Sequence, residues 1–90
     1  MKNVKPEFMR VLRWDFRRNN QVITCEIDAE GGRAYDVCVV PHWDVSASAI
    51  ERFDASYRAF ERHAEVARQL REAGWVRAEF HTPYSVGAAA

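Results

Sequence analysis

His42, Trp43 and Asp44 follow Pro41 directly, and this run concentrates an imidazole, an indole and a carboxylate within three residues. An imidazole changes its charge near neutral pH and can accept a proton or ligate a metal. A carboxylate can orient that imidazole or hold a cation, and an indole offers a face for stacking. The run falls where a strand-like segment gives way to a helix-like one, and connections of that kind often carry sites. His42, Trp43 and Asp44 are therefore the candidate binding residues, and a small ligand or metal held by His42 and Asp44 is one functional expectation. The same residues also have a structural use, with Pro41 ending the strand, Trp43 covering the turn and Asp44 capping the next helix.

Other groups with chemical potential carry weaker signals. His42, His63 and His81 have no HxxxH partner, and Cys25 and Cys38 form no CxxC pair, so the spacing of a zinc site is missing. His63 falls at the edge of the apolar helix stripe and reads as a boundary residue. Asp15, Glu26, Asp28 and Asp36 alternate out of the strands and could gather on one sheet face as ligands for a divalent cation. Interleaved Arg13 and Arg17 favour a solvated charged face there instead. No serine or cysteine stands in a nucleophile motif, and Glu30-Gly31-Gly32-Arg33 is not followed by a helix, as a phosphate loop would be. The expectation is a protein that is not an enzyme, with no catalytic residue, no metal and no cofactor.

Thirteen basic and thirteen acidic residues cancel. With no field of one sign, general nucleic-acid binding and attraction to an anionic membrane are disfavoured. Arginine outnumbers lysine eleven to two, but the arginines are dispersed among acids and trace no groove. No apolar run reaches the roughly 18 residues of a membrane span, and the charged start lacks the apolar stretch of a secretory leader. The expected location is the cytoplasm, with both cysteines reduced.

The elements that must position these residues follow from periodicity. Leu12, Trp14 and Phe16 alternate with Arg13, Asp15 and Arg17, and Ile23, Cys25, Ile27 and Ala29 alternate in the next segment. Asn19-Asn20 between them suits a two-residue type I′ turn with positive φ at both positions. Pairing Arg18 with Gln21 then sets Phe16 opposite Ile23, Trp14 opposite Cys25, Leu12 opposite Ile27 and Arg13 opposite Glu26. A third strand offers Tyr35, Val37 and Val39. A three-residue loop with a left-handed glycine brings these onto the same face, aligned with Ile27, Cys25 and Ile23, and sends Cys25 and Cys38 to opposite sides with no disulfide.

Ser48-Ala49-Ile50-Glu51 fits a capping box, and Ile50, Phe53, Tyr57, Phe60, Ala64, Ala67 and Leu70 recur at helical spacing up to a Gly74 stop with Trp75 against Leu70. The fold expected is α+β: an antiparallel three-stranded meander (10–17, 21–29, 33–40) packed on one long helix (48–73), with a short fourth strand at 75–80. That strand would lie beside strand one and parallel to it. Residues 1–90 form a single domain with an ordered core of about 8–82 and loose tails at 1–7 and 85–90.

No family motif is present. In element order the chain resembles the first half of ribonuclease H-like domains, and a meander followed by a helix is similar to Whirly and Pur-type single-strand binders. This likeness of topology over residues 8–80 implies nothing about activity by itself. The chain lacks room for the additional carboxylates and elements that a site of the first group would need, and it lacks the basic sheet face of the second.

A helix over 49–73 would be about 37 Å long, more than a strand of about 27 Å can cover. The small residues Ala64 and Ala67 would let another backbone approach closely. The leading functional expectation is a small non-enzymatic interaction module, homodimeric through Ala64 and Ala67, with an unidentified protein as a further partner. A single-stranded nucleic-acid binder of sheet-plus-helix type is the alternative beside the His42/Asp44 ligand site.

Overall fold

The computed structural model describes residues 8–78. They run as β1 (Phe8–Arg18), β2 (Gln21–Glu30), β3 (Ala34–Pro41), a 3-10 turn (Val45–Ala47), β4 (Ala49–Phe53), α1 (Ser56–Glu72) and β5 (Val76–Ala78). The class is α+β, but the sheet has five strands, in the order β4-β3-β2-β1-β5, every neighbouring pair antiparallel. Among the described residues one helix covers one face of it, and no element covers the other.

The first hairpin pairs as its turn and face patterns require: Arg18 with Gln21, Phe16 with Ile23, Trp14 with Cys25, Leu12 with Ile27 and Arg13 with Glu26. Only Asn19 takes a positive φ, 57°, so the turn is not the type I′ form with both central residues left-handed. A bulge between Arg10 and Leu12 reverses the alternation. It leaves Leu12, Trp14 and Phe16 towards the helix and adds Arg10 to Arg13 on the open face. In the second hairpin Gly31 and Gly32 both have positive φ, and Arg33 N–H donates to Glu30 O (3.0 Å). Tyr35, Val37 and Val39 fall on the expected face, but they pair with Ala29, Ile27 and Cys25, two residues short of the predicted alignment. A three-residue loop fixes this, because Glu30 must then pair with Ala34. Cys25 and Cys38 project to opposite faces, and both are free thiols.

Residues 48–53 are not helical. Ala49–Phe53 pairs along the outer edge of β3, with Tyr35 opposite Phe53 and Cys38 opposite Ile50, while the Ser48 hydroxyl donates to Val45 O (2.6 Å) and caps no helix. The backbone of β3 offers a second edge of donors and acceptors, and tertiary pairing outweighs the local helical pattern. Arg52 then reaches across the sheet to Asp36 (2.9 Å) and Glu30 (2.8 Å).

The shorter helix also presents a different face from the one expected. Ala59, His63, Val66 and Ala67 are buried, and Leu70 and Phe53 pack beside them, whereas Ile50, Tyr57 and Phe60 are exposed. The core joins these residues to Phe16, Cys25, Ile27, Val37 and Trp75. His63 lies at its centre and not at a boundary, with its Nε2–H donated to Cys25 O (3.0 Å). The helix end is as predicted. Gly74 has φ 93°, its N–H meets Arg71 O (3.0 Å), and Trp75 N–H meets Leu70 O (2.9 Å), the two bonds of a Schellman motif.

β5 occupies the predicted edge beside β1 but runs antiparallel to it. The unforeseen strand β4 reverses the chain before α1, so a crossover from β4 delivers β5 in the opposite sense. Positions 79–80 of the predicted strand, and the tails at 1–7 and 85–90, lie outside the described residues.

Candidate functional site

His42 continues β3 by one more hydrogen bond, its N–H donating to Val22 O (2.9 Å). Strand alternation therefore turns its ring onto the open face, beside Thr24. Its Nε2 lies 2.6 Å from Thr24 Oγ1, and the Thr24 hydroxyl lies 2.6 Å from Asp15 Oδ1. A carboxylate cannot donate, so Thr24 gives its proton to Asp15 and accepts one from His42 Nε2. This leaves Nδ1 as the acceptor of a neutral His42 ring. Asp15, only 4% exposed, also receives Arg13 Nε at 3.3 Å. No pattern in the sequence pointed to Thr24; only the pairing of three strands brings it under His42.

Trp43 turns the other way. Its ring stacks on Trp75, with centroids 6.0 Å apart and planes 13° apart, and it remains 52% exposed. Arg18 lies over the same Trp75 ring at 4.7 Å and donates Nη1–H to Ala73 O (2.7 Å). Arg77 lies over Trp14 at 4.2 Å. Arg17, Arg18 and Arg77, with Gly74 and Val76, line an open cleft of ≈ 540 Å³ along the β1–β5 corner. Asp44 does not cap α1. It precedes the 3-10 turn, and its Oδ1 accepts the Ser46 hydroxyl (2.6 Å).

The four carboxylates expected to gather on the open face are divided among partners. Asp15 belongs to Thr24 and Arg13, and Asp36 to Arg52, which holds its carboxyl below the usual carboxylate range. Glu26 and Asp28 come together with Cys38, with one potential ligand atom from each within 4.8 Å of the others. Burial, a shared hydrogen bond and the charge of Asp28 raise the pKa of Glu26. Burial and the surrounding carboxylates push the Cys38 thiol up to about 11. Arg10 is placed against both acids, at 3.6 and 3.9 Å, and the thiol approaches Asp28 at 4.0 Å. The trio is thus partnered within the chain.

Of the two proposed dimer contacts, Ala67 is 1% exposed and packs in the chain's own core, whereas Ala64 is on the surface. His63 is in the core, and His81 lies outside the described residues, so the three histidines do not form one group. No helix among the described residues is long and apolar enough to cross a membrane. No protein-family model, curated protein or solved structure matches the chain.

Proposed function

We propose that this chain is a small non-enzymatic interaction module that self-associates through the outer flank of α1. The observation that carries this reading is an apolar line on a helix whose inner face is already filled. Tyr57 and Phe60 are 61% and 42% exposed, and Ala64 continues their line one turn later. Arg62 reaches Glu51 of β4 at 2.6 Å, which sets that side of the helix over β4 and leaves Phe60 on the opposite flank. A second copy suits this line for two reasons. The chain has a formal net charge of zero, so two copies do not repel each other, and a domain of this size gains much from additional burial.

Sedimentation equilibrium at micromolar concentration tests the proposal. The expected result is a dimer that Phe60→Glu converts to a monomer with an unchanged circular dichroism spectrum. A wild-type protein that stays monomeric throughout the concentration range overturns it.

A further inference from the structure

The arginines at the β1–β5 corner differ from most of the others in what holds them. Arg10, Arg52, Arg62 and Arg68 sit against carboxylates. Arg18 and Arg77 are instead held over the Trp75 and Trp14 rings, and Arg17, Arg18 and Arg77 make no ion pair among the described residues. Aromatic faces fix a guanidinium in place without neutralising it. Arg18 and Arg77 project on the helix side of the sheet, with Trp75 and Trp14, and Arg17 on the other, so positive charge flanks the open cleft in a chain whose total charge is zero.

The second cleft, at the opposite end of the sheet, provides a comparison. It is lined by Arg33, Arg52 and Arg58, but Asp54 also lines it, and Arg52 is committed to Asp36 and Glu30. Its charge is offset in part from within, through Arg52, and no exposed indole among the described residues stands beside it.

Trp43 adds a platform beside the basic cleft. Its plane is fixed against Trp75, yet half of its surface is open. Because Arg18 and Trp43 both contact Trp75, at 4.7 and 6.0 Å, the Trp43 ring lies within about 11 Å of the Arg18 guanidinium. A planar ring joined to a phosphate can bridge such a distance. Arginine forks match phosphate oxygens, and every nucleobase has a face that stacks on an indole.

We propose that the helix side of this sheet end, formed by Arg18, Arg77 and Trp43, binds a nucleoside phosphate, free or as a unit of a single strand, with phosphate on the arginines and base on Trp43. This assignment is independent of self-association, since it uses a different surface from the Tyr57–Phe60 flank.

The full chain is titrated with three probes: a fluorescent oligothymidylate followed by anisotropy, and thymidine monophosphate and inorganic pyrophosphate followed by tryptophan emission. Salt-sensitive binding of the oligonucleotide, weakened about tenfold by Arg18→Gln or Arg77→Gln and by a similar factor by Trp43→Leu, supports the proposal with a strand as the source. The same pattern with the monophosphate, as tight as with the oligonucleotide, supports it with a free nucleotide as the source. Three results overturn it: no binding of either nucleotide probe at low salt, binding unaffected by the three variants, or pyrophosphate binding as tightly as the nucleotides and indifferent to Trp43→Leu. Arg77 is exposed and held by no ion pair among the described residues, so Arg77→Gln keeps the test decisive should Trp43→Leu fail to fold.

Discussion

Thr24 has one hydroxyl proton, and Asp15 claims it, so the orientation of His42 depends on a residue with no titratable group. Replacing Thr24 by valine keeps the shape but leaves the buried Asp15 short of a donor and His42 without its acceptor. The expected cost is about 1–3 kcal/mol in urea unfolding, well above that of a Thr→Val change at a solvated position. His63 gives a second prediction at this scale. Burial lowers its pKa from the ordinary 6.5, only partly offset by the bond to Cys25 O. The unfolded chain binds a proton more readily than the folded one, so this contribution to stability is complete above about pH 6.5 and declines as pH falls towards the lowered folded value. The melting temperature should drop between about pH 7.5 and about pH 5.5, and His63→Gln, which keeps an N–H donor and cannot titrate, should flatten that part of the profile. Burial pushes the Cys25 thiol up to about 12, so a thiol reagent should leave it untouched in the native protein and label it on unfolding.

At the scale of elements, the register of the first hairpin from Leu12 to Ile27 was legible because two independent signals agreed, although its turn is not type I′ and the bulge between Arg10 and Leu12 left no mark in the pattern. Turn length and the parity of the apolar residues specify one register, and Leu12, Trp14, Phe16, Ile23, Cys25 and Ile27 all obey it. The left-handed turn position makes a test. Asn19→Gly should be neutral or slightly stabilising in thermal melts, and Asn19→Ala should cost about 1–2 kcal/mol, since Cβ disfavours φ near 57° without the local hydrogen bonding of asparagine. The segment at 48–53 misled because Ser48 and Glu51 have capping-box spacing, while Ala49-Ile50-Glu51-Arg52-Phe53 lacks the apolar-polar alternation that marks a strand. Local sequence favours the helix, and the vacant edge of β3 overrides it. Once β4 forms, the helix must start at Ser56, and Phe53 no longer belongs to a helical stripe with Tyr57.

At the scale of the whole molecule, that choice decides what remains exposed. A helix of 17 residues lies on the sheet through Ala59, His63, Val66 and Ala67, and the bulkier Tyr57 and Phe60 are left outside. Phe60→Glu should therefore leave monomer stability within about 0.5 kcal/mol of wild type while abolishing self-association, whereas Phe16→Ala should cost about 3–5 kcal/mol because Phe16 is fully buried in the core. A denaturation series compared with the sedimentation profile separates the two effects.

Alternation, glycine placement and helical spacing by themselves determined three apolar rows on one face, the turn at Gly31-Gly32, the separation of the two cysteines and the Gly74 helix stop. Each depends on residues near one another in the chain, where steric limits and the two-residue strand period act directly. The tertiary structure alone decided that 49–53 pairs as a strand, that β5 runs antiparallel, that Thr24 joins Asp15 to His42, and that Trp43 meets Trp75 beside Arg18. Those outcomes depend on which backbone edge lacks a partner after the meander has formed, and that competition is between segments far apart in sequence.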